Sequence, residues 1–251
     1  MRRYGLKLWS NNINYILEAE RLYKEGVYQY IELYSVPGTY DGTIGQWKTL
    51  KIPFIIHGPH YKHGMNLSMK DTKENNKILF AEACKFADAL SSPFIILHSG
   101  LYGTIEETIS QLKDLKDKRI LIENKPYFGL NDGEICVGST PEEILKAIKE
   151  TGYGFCLDIG HAIYSANAHK TDPMAYLNRF LALSPAMFHL TDGNINATRD
   201  KHEHIGRGNF PLKAILGMFP SSSSITVETV KSFRNDLADF IEDINNIMVL
   251  L

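Results

Sequence analysis

Six short apolar segments in this 251-residue sequence end on an imidazole or a carboxylate side chain. The six residues are His57, His98, Glu123, Asp158, His189 and Glu228. If such groups are crowded into a half-buried site, they lose hydration and the carboxylates repel one another. Divalent cations resolve this conflict because they bind neutral imidazole and ionised carboxylate together. The pattern therefore predicts a metal site where the six segment ends converge.

Three further residues extend the set of candidate ligands. His161 follows Asp158 by three residues, and Asp200 and His202 lie two residues apart in a polar loop. If that loop is locally extended, the side chains of Asp200 and His202 point the same way and can chelate one ion. The nine candidates are then five histidines and four carboxylates. Any one of them has a simpler interpretation, such as a structural hydrogen bond or an ion pair, so the prediction depends on their shared position.

The elements that must position these residues alternate along the chain. Buried parallel strands are predicted at residues 4–9, 29–34, 54–57, 94–98, 120–123, 154–158, 187–190 and 225–228. Helical spacing of apolar residues covers 70–90 and about 233–248, and capping boxes are predicted at Thr104 with Glu107 and at Thr140 with Glu143. The interval 35–53 leaves room only for a very short helix or a loop.

Eight alternations of strand and helix predict an α/β fold, a single (β/α)8 TIM barrel spanning residues 1–251. No glycine-rich dinucleotide loop follows the first strand, which argues against an open sheet. A barrel of this kind takes about 250 residues, and its active site lies at the C-terminal ends of the strands. Those ends are where the candidate ligands are found.

The composition is ordinary for a globular protein, with 44% hydrophobic and 22% charged residues and a net charge of −2. Three scattered cysteines do not make a disulfide framework, so we expect a reducing, cytoplasmic setting. No apolar run approaches the roughly 18 residues of a membrane span, so we expect no membrane partner, and we expect a monomer. The charge does not indicate a polyanionic partner, although bound metal ions would add positive charge.

With these residues in view, the sequence resembles the xylose isomerase-like barrel superfamily and, within it, the endonuclease IV family of apurinic/apyrimidinic endonucleases. The most specific stretches are CLDIGHA at 156–162, HLTD at 189–192 and DKHEHIGRGN at 200–209. All nine positions of that family's three-metal site have a matching residue type in this chain. The resemblance extends from about residue 54 to residue 230.

The resemblance implies a ligand set for each ion. The first ion is assigned to His57, His98 and Glu123, the second to Glu123, Asp158, His189 and Glu228, and the third to His161, Asp200 and His202. The ions in that family are zinc, so we expect two or three Zn²⁺ ions, and Mn²⁺ or Fe²⁺ also suits these ligand types. Glu123 and Glu228 are the expected catalytic residues. The candidates for substrate contact are His60, Tyr61, Lys125, His204 and Arg207.

Two features depart from the family. Its members have a longer connection between the second and third strands, with an arginine-bearing loop that penetrates DNA, whereas residues 35–42 here contain no arginine or lysine. The family's intercalating tyrosine corresponds to His60, with Tyr61 one position later. His63, a little further along, is expected to be solvated in a polar loop. The resemblance thus predicts a complete metal site with few groups to grip DNA.

Three functions remain open. Three ions suit hydrolysis of a phosphodiester in DNA at an abasic or damaged site. A metal-dependent isomerase or epimerase of a sugar or sugar phosphate needs one ion, with Glu123 and Glu228 flanking the substrate as acid and base. A metal-binding scaffold without catalysis is the third, and the intact ligand set speaks against it.

Overall fold

Eight parallel strands close into a barrel in the computed structural model, which describes residues 1–251, so the predicted (β/α)8 fold is confirmed. The barrel strands are β1 (Arg3–Trp9), β2 (Tyr30–Tyr34), β3 (Phe54–His57), β4 (Ile95–His98), β6 (Ile120–Glu123), β8 (Gly154–Asp158), β9 (Met187–Leu190) and β10 (Ser224–Val227). They follow one another around the barrel in chain order, and β10 pairs with β1. Two short strands outside the barrel, β5 (Gly100–Leu101) and β7 (Cys136–Val137), pair antiparallel. The predicted strands agree with the barrel strands to within one residue at each end.

Helices surround the barrel. They are α1 (Ile16–Lys24), α2 (Tyr40–Trp47), α3 (Lys73–Ala89), α4 (Ile105–Leu115), α5 (Pro141–Thr151), α6 (Ile159–Ala168), α7 (Pro173–Leu181), α8 (Leu212–Met218) and α9 (Ala238–Leu250). None of them combines the length and the apolar character that crossing a membrane requires.

The helix starts show which local signals were reliable. Thr140 and Glu143 form the complete capping box predicted for α5. Thr104 accepts a hydrogen bond from the backbone of Glu107 at 3.2 Å, but the Glu107 carboxylate binds Gln111 instead of returning to Thr104. The box predicted at α4 is therefore only half formed, although its N-cap bond is present.

Two helices differ from expectation. The interval 35–53 holds the eight-residue helix α2, whose Trp47 is fully buried and donates from Nε1 to the carbonyl of Ser10 at 2.8 Å. The last helix begins at Ala238 rather than near residue 233. The carbonyl of Phe233 instead accepts a hydrogen bond from the Tyr15 hydroxyl. This segment is tied to the loop after β1, so its backbone is not free to form a helical turn.

The apolar core lies between the barrel and its helices, in one cluster of 55 buried residues. A second cluster of six buried residues, including Tyr30, Ile96 and Met187, fills the inside of the barrel. Packing of this kind holds the strands rigidly, so the residues at their C-terminal ends have fixed positions.

Candidate metal centre

Three adjacent strands bring the first predicted ligand group together. Nε2 of His57, at the end of β3, and Nε2 of His98, at the end of β4, each lie 3.0 Å from Oε2 of Glu123 at the end of β6. All three side chains are buried. Nδ1 of His57 lies 2.7 Å from the carbonyl oxygen of Gly58, a contact in which the ring nitrogen donates. That bond leaves the lone pair of Nε2 directed at the group, as metal ligation requires.

In the second predicted ligand group, three carboxylates surround one nitrogen of His189. Nδ1 of His189 lies 2.8 Å from Oε2 of Glu228, 3.5 Å from Oε2 of Glu123 and 3.8 Å from Oδ2 of Asp158. His189 Nδ1, Asp158 Oδ2 and Glu228 Oε2 are buried and have no hydrogen-bond partner. Buried polar atoms are nearly always satisfied, and three unsatisfied acceptors facing one point suit a cation. The residues present therefore fit a metal ion.

The third group joins a helix to a loop. Oδ2 of Asp200 lies 3.4 Å from Nε2 of His161 in α6 and 2.7 Å from Nε2 of His202. His161 also contacts the carbonyl of Asn124 through Nδ1 at 2.8 Å, which leaves Nε2 facing Asp200. The groups around Glu123 and around Asp200 thus share the neighbourhood of His161, whose Nδ1 is 3.2 Å from Oε1 of Glu123.

Asp200 and His202 meet without the extended backbone that was the condition for their predicted pairing. His202 has a φ of 47°, in the left-handed region that non-glycine residues seldom adopt. Oδ1 of Asp200 accepts a hydrogen bond from the backbone N–H of His202 at 3.1 Å. The two side chains meet because the backbone turns, and this turn is a local strain of the kind found at functional sites.

One carboxylate anchors the loop that carries Asp200 and His202. Asp192, two residues after β9, is buried, and its Oδ1 accepts from the backbone N–H groups of Gly193 at 2.8 Å and Phe210 at 3.1 Å. Its Oδ2 accepts from Gly206 at 2.9 Å and Gly208 at 3.2 Å. Both ends of the loop are therefore fixed to a single side chain at the strand end.

The electrostatics of the cluster reflect its crowding. Burial lowers the pKa of His98 well below its usual value, which keeps the ring neutral. Burial, together with the neighbouring carboxylates, raises the pKa of Asp158 despite the opposing effect of His161. Burial alone would lower the pKa of His161, but Asp158, Asp200 and Glu123 outweigh it and raise the value to about 10. The negative charge around Asp158 is the kind that a divalent cation relieves.

Two buried charged residues were missed by the sequence interpretation. Glu32 in β2 accepts from Nε2 of His189 at 2.9 Å, and Nζ of Lys7 in β1 lies 3.1 Å from Glu32 Oε1 and 2.7 Å from Glu228 Oε1. Lys7 and Glu32 are register partners on adjacent strands. The signal that could have found them is a charged residue at the centre of an otherwise apolar strand, since such a residue is buried only when it is paired.

A cavity of about 620 Å³ opens over the cluster at the C-terminal end of the barrel. Three of the predicted substrate-contact residues line it, namely His60, Tyr61 and Lys125. The structure does not bring the other two to this cavity. Nδ1 of His204 lies 3.0 Å from Asp243, and Arg207, 67% exposed, pairs with Glu242 at 3.1 Å.

The wall of this cavity is aromatic. Trp9 and Tyr34 lie with ring centroids 5.1 Å apart, and His63 packs edge-on against Trp9 at 5.5 Å. The hydroxyl of Tyr34 lies 2.6 Å from Nδ1 of His63. His63 is therefore half-buried in the cavity wall, and the expectation that it is solvated in a loop is wrong.

Fold and site together define a class of protein, the (β/α)8 barrel with clustered imidazole and carboxylate groups at the mouth. The family model described as "Xylose isomerase-like TIM barrel" matches residues 45–232. The chain therefore belongs to this family.

The chain is similar to proteins named as endonucleases and to a protein named as epimerase-like. A protein of Aquifex aeolicus named "Probable endonuclease 4" is 25% identical over 229 residues, which cover 79% of this chain and 78% of that protein. The crystal structure of endonuclease IV from Thermus thermophilus has a TM-score of 0.72 at 20% identity, covering 98% of this chain and 99% of that one. A D-tagatose 3-epimerase-like protein has a TM-score of 0.75 at 18% identity, covering 99% and 96%. These structural similarities show a shared fold.

Proposed function

We propose that the protein is a multinuclear, metal-dependent hydrolase of phosphodiester bonds that acts on DNA at abasic or damaged sites. The observation that carries this proposal is the third ligand group, His161, Asp200 and His202, which lies beside the other two. Proton or hydride transfer between adjacent carbons typically needs one ion together with a carboxylate or histidine base. A phosphodiester gains from ions on both the attacking and the leaving oxygen. Three ligand groups around one cavity exceed what isomerisation requires.

The proposed ligand sets are those that the resemblance implies. His57, His98 and Glu123 hold the first ion, Glu123 with Asp158, His189 and Glu228 holds the second, and His161, Asp200 and His202 hold the third. Bound divalent ions, Zn²⁺ by ligand type, supply Lewis acidity toward the phosphodiester and toward water. Glu123 serves two groups because its Oε2 faces His57, His98 and His189 while its Oε1 faces His161.

Glu228 is the ligand carboxylate that is most open to the cavity. Its side chain is 19% exposed and lines the cavity, whereas Glu123 and Asp158 are each only 1% exposed. Lys7 holds Oε1 of Glu228 at 2.7 Å, which leaves Oε2 on the side of His189. In the proposed hydrolysis, Glu228 would hold the second ion through Oε2 while its side chain faces the attacking water in the cavity, and Tyr61 and His60 contact the substrate from the cavity wall.

The direct test is incision of a DNA duplex. Zinc-loaded protein is incubated with a duplex that contains a single abasic site and, as a control, with the same duplex undamaged. We expect cleavage only beside the abasic site, and a loss of about 100-fold or more in the Asp200→Asn variant, which keeps the shape of the side chain but removes its charge. Failure to cut the abasic duplex, with interconversion of a ketose and its epimer by the same preparation, would contradict the proposal.

A metal-dependent sugar or sugar-phosphate isomerase or epimerase is the second candidate, and one observation favours it. The aromatic side chains of Trp9, Tyr34 and Tyr61 line a cavity of a size suited to a small molecule. Residues 35–42, beside β2, offer no cationic side chain to a DNA backbone. In this reaction Glu123 and Glu228 would flank the sugar as acid and base, and one ion would suffice.

A further inference from the structure

Lys125 is a buried cation with no anionic partner. It follows β6 by two residues, is 8% exposed and lines the cavity. Its Nζ makes no side-chain hydrogen bond and has no carboxylate within 4.0 Å. Its backbone N–H donates to the carbonyl of Gly138 at 2.9 Å, which holds the residue in place.

Another lysine that lines the cavity, Lys7, shows the contrast. Lys7 is 9% exposed, and it has carboxylates at 2.7 and 3.1 Å. Lys125 makes no such ion pair, so its charge faces only the cavity. An ammonium group in that position is free to pair with an anionic ligand.

Lys125 lines the cavity together with the imidazoles of His60, His98 and His161. Burial lowers the pKa of His60 to about 3, and the nearby charge of Lys125 contributes to that shift. His98 belongs to the first ligand group and His161 to the third, so the ammonium group shares its cavity with both, where bound metal ions would add further positive charge.

We infer that Lys125 forms an oxyanion-binding subsite in the cavity that the first and third ligand groups line, and that the ligand of this cavity carries a phosphate group there. A phosphate oxygen would give Lys125 the charge-assisted hydrogen bond that it lacks. The inference rests on the proposed function and makes it more specific, because it assigns one phosphate contact to a named side chain that lines the cavity. A neutral sugar would leave the charge of Lys125 uncompensated.

The test is binding of inorganic phosphate to the metal-loaded protein, measured by calorimetry on the natural sequence and on three variants. Lys125→Met should weaken phosphate binding about 10- to 100-fold, and Lys125→Arg should retain most of it. Lys118→Met is the matched control, since Lys118 is an exposed lysine that precedes the same strand at the opposite end of the barrel. It should bind phosphate as tightly as the natural protein.

Thermal unfolding and metal content separate a binding role from a structural one. Because Lys125→Met removes an unpaired buried charge, the variant should unfold at the same or a higher temperature and retain its metal ions. Equal phosphate affinity in Lys125→Met and the natural protein would overturn the inference, and so would metal loss that accounts for the weaker binding. Phosphate binding that depends on Lys125, in a protein that does not cut the abasic duplex, would contradict the proposed function and leave this subsite supported.

Discussion

The carboxylate of Glu32 lies 2.9 Å from Nε2 of His189, and neither side chain has any exposed surface. The hydrogen bond fixes the ring, so that Nδ1 faces Asp158 and Glu228 instead. A carboxylate that holds the outer nitrogen of a ligating histidine sets its tautomer and strengthens it as a ligand. Glu32 is thus a positioning residue for His189, the proposed ligand of the second ion.

Replacement of Glu32 should selectively lower the affinity for the second ion. In Glu32→Gln the amide cannot supply the charge that orients His189, and Lys7 loses one of its two partners. We expect a loss of about 10- to 100-fold in affinity for one ion. Elemental analysis after dialysis against buffers of graded zinc concentration measures it. The exposed Glu25→Gln serves as the control, and full retention of metal by Glu32→Gln would show that the orientation of His189 does not depend on this carboxylate.

Replacement of His202 should remove the third ion alone. His202→Ala deletes the nitrogen that lies 2.7 Å from Asp200 and leaves the groups around His57 and His189 intact. We expect one metal equivalent fewer and a loss of about 100-fold or more in incision rate, since the leaving oxygen loses its counter-charge. The histidine variant His169→Ala, outside the cluster, should behave as the natural protein. Unchanged incision by His202→Ala would remove the third group from the mechanism.

Loss of Asp192, which anchors the loop, should lower the free energy of unfolding. Asp192→Ala leaves four backbone N–H groups without their acceptor, among them those of Gly193 and Phe210. We expect the free energy of unfolding to fall by about 3 kcal/mol, because the bonds of Gly193 and Phe210 are buried and an unsatisfied buried donor is costly. Urea denaturation gives the value. Asp132→Ala is the control, since it removes only a surface pair with Arg199 of the same loop and should cause no measurable change; equal stability of the two variants would argue against the anchoring role.

The sequence was sufficient for the strands and for the candidate ligands that the structure brings together at their ends. Strand ends such as those of His98 and Glu123 are marked by a change from apolar to polar residues, and parallel strands of a barrel all end at one face. Lys7 and Glu32 could not be placed in the same way, because their partners come from other strands and depend on the register around the closed barrel. The turn at His202 was missed because two-residue spacing does not distinguish an extended backbone from a left-handed one.

The contacts of the outer loops could not be predicted from the sequence either. The side chain of Arg207 lies in a stretch that resembles the family closely, yet it pairs with Glu242 on α9. Helix α9 begins at Ala238 rather than near residue 233. The segment before it is held by a contact with Tyr15, more than 200 residues away in the chain. Such contacts are decided by tertiary structure rather than by local pattern.

The thiols should be unreactive in the folded protein. Burial raises the pKa of Cys136 to about 11 and that of Cys156 to about 12, and burial with the nearby Asp117 raises that of Cys84 to about 12. A raised pKa leaves little thiolate at about pH 8, and the thiolate is the reactive form. We expect slow alkylation by iodoacetamide at that pH in the native state and rapid alkylation of all three in urea, followed by mass spectrometry. Rapid native labelling of Cys136, which lines the cavity, would contradict the burial described here.

The central claim is that three groups of ligands hold three ions around one cavity, and anomalous X-ray scattering from crystals of the zinc-loaded protein tests it most directly. We predict three anomalous peaks, one beside His57 and His98, one beside His189 and Glu228, and one beside Asp200 and His202. A single peak beside His189 would contradict the account and favour the chemistry of an isomerase.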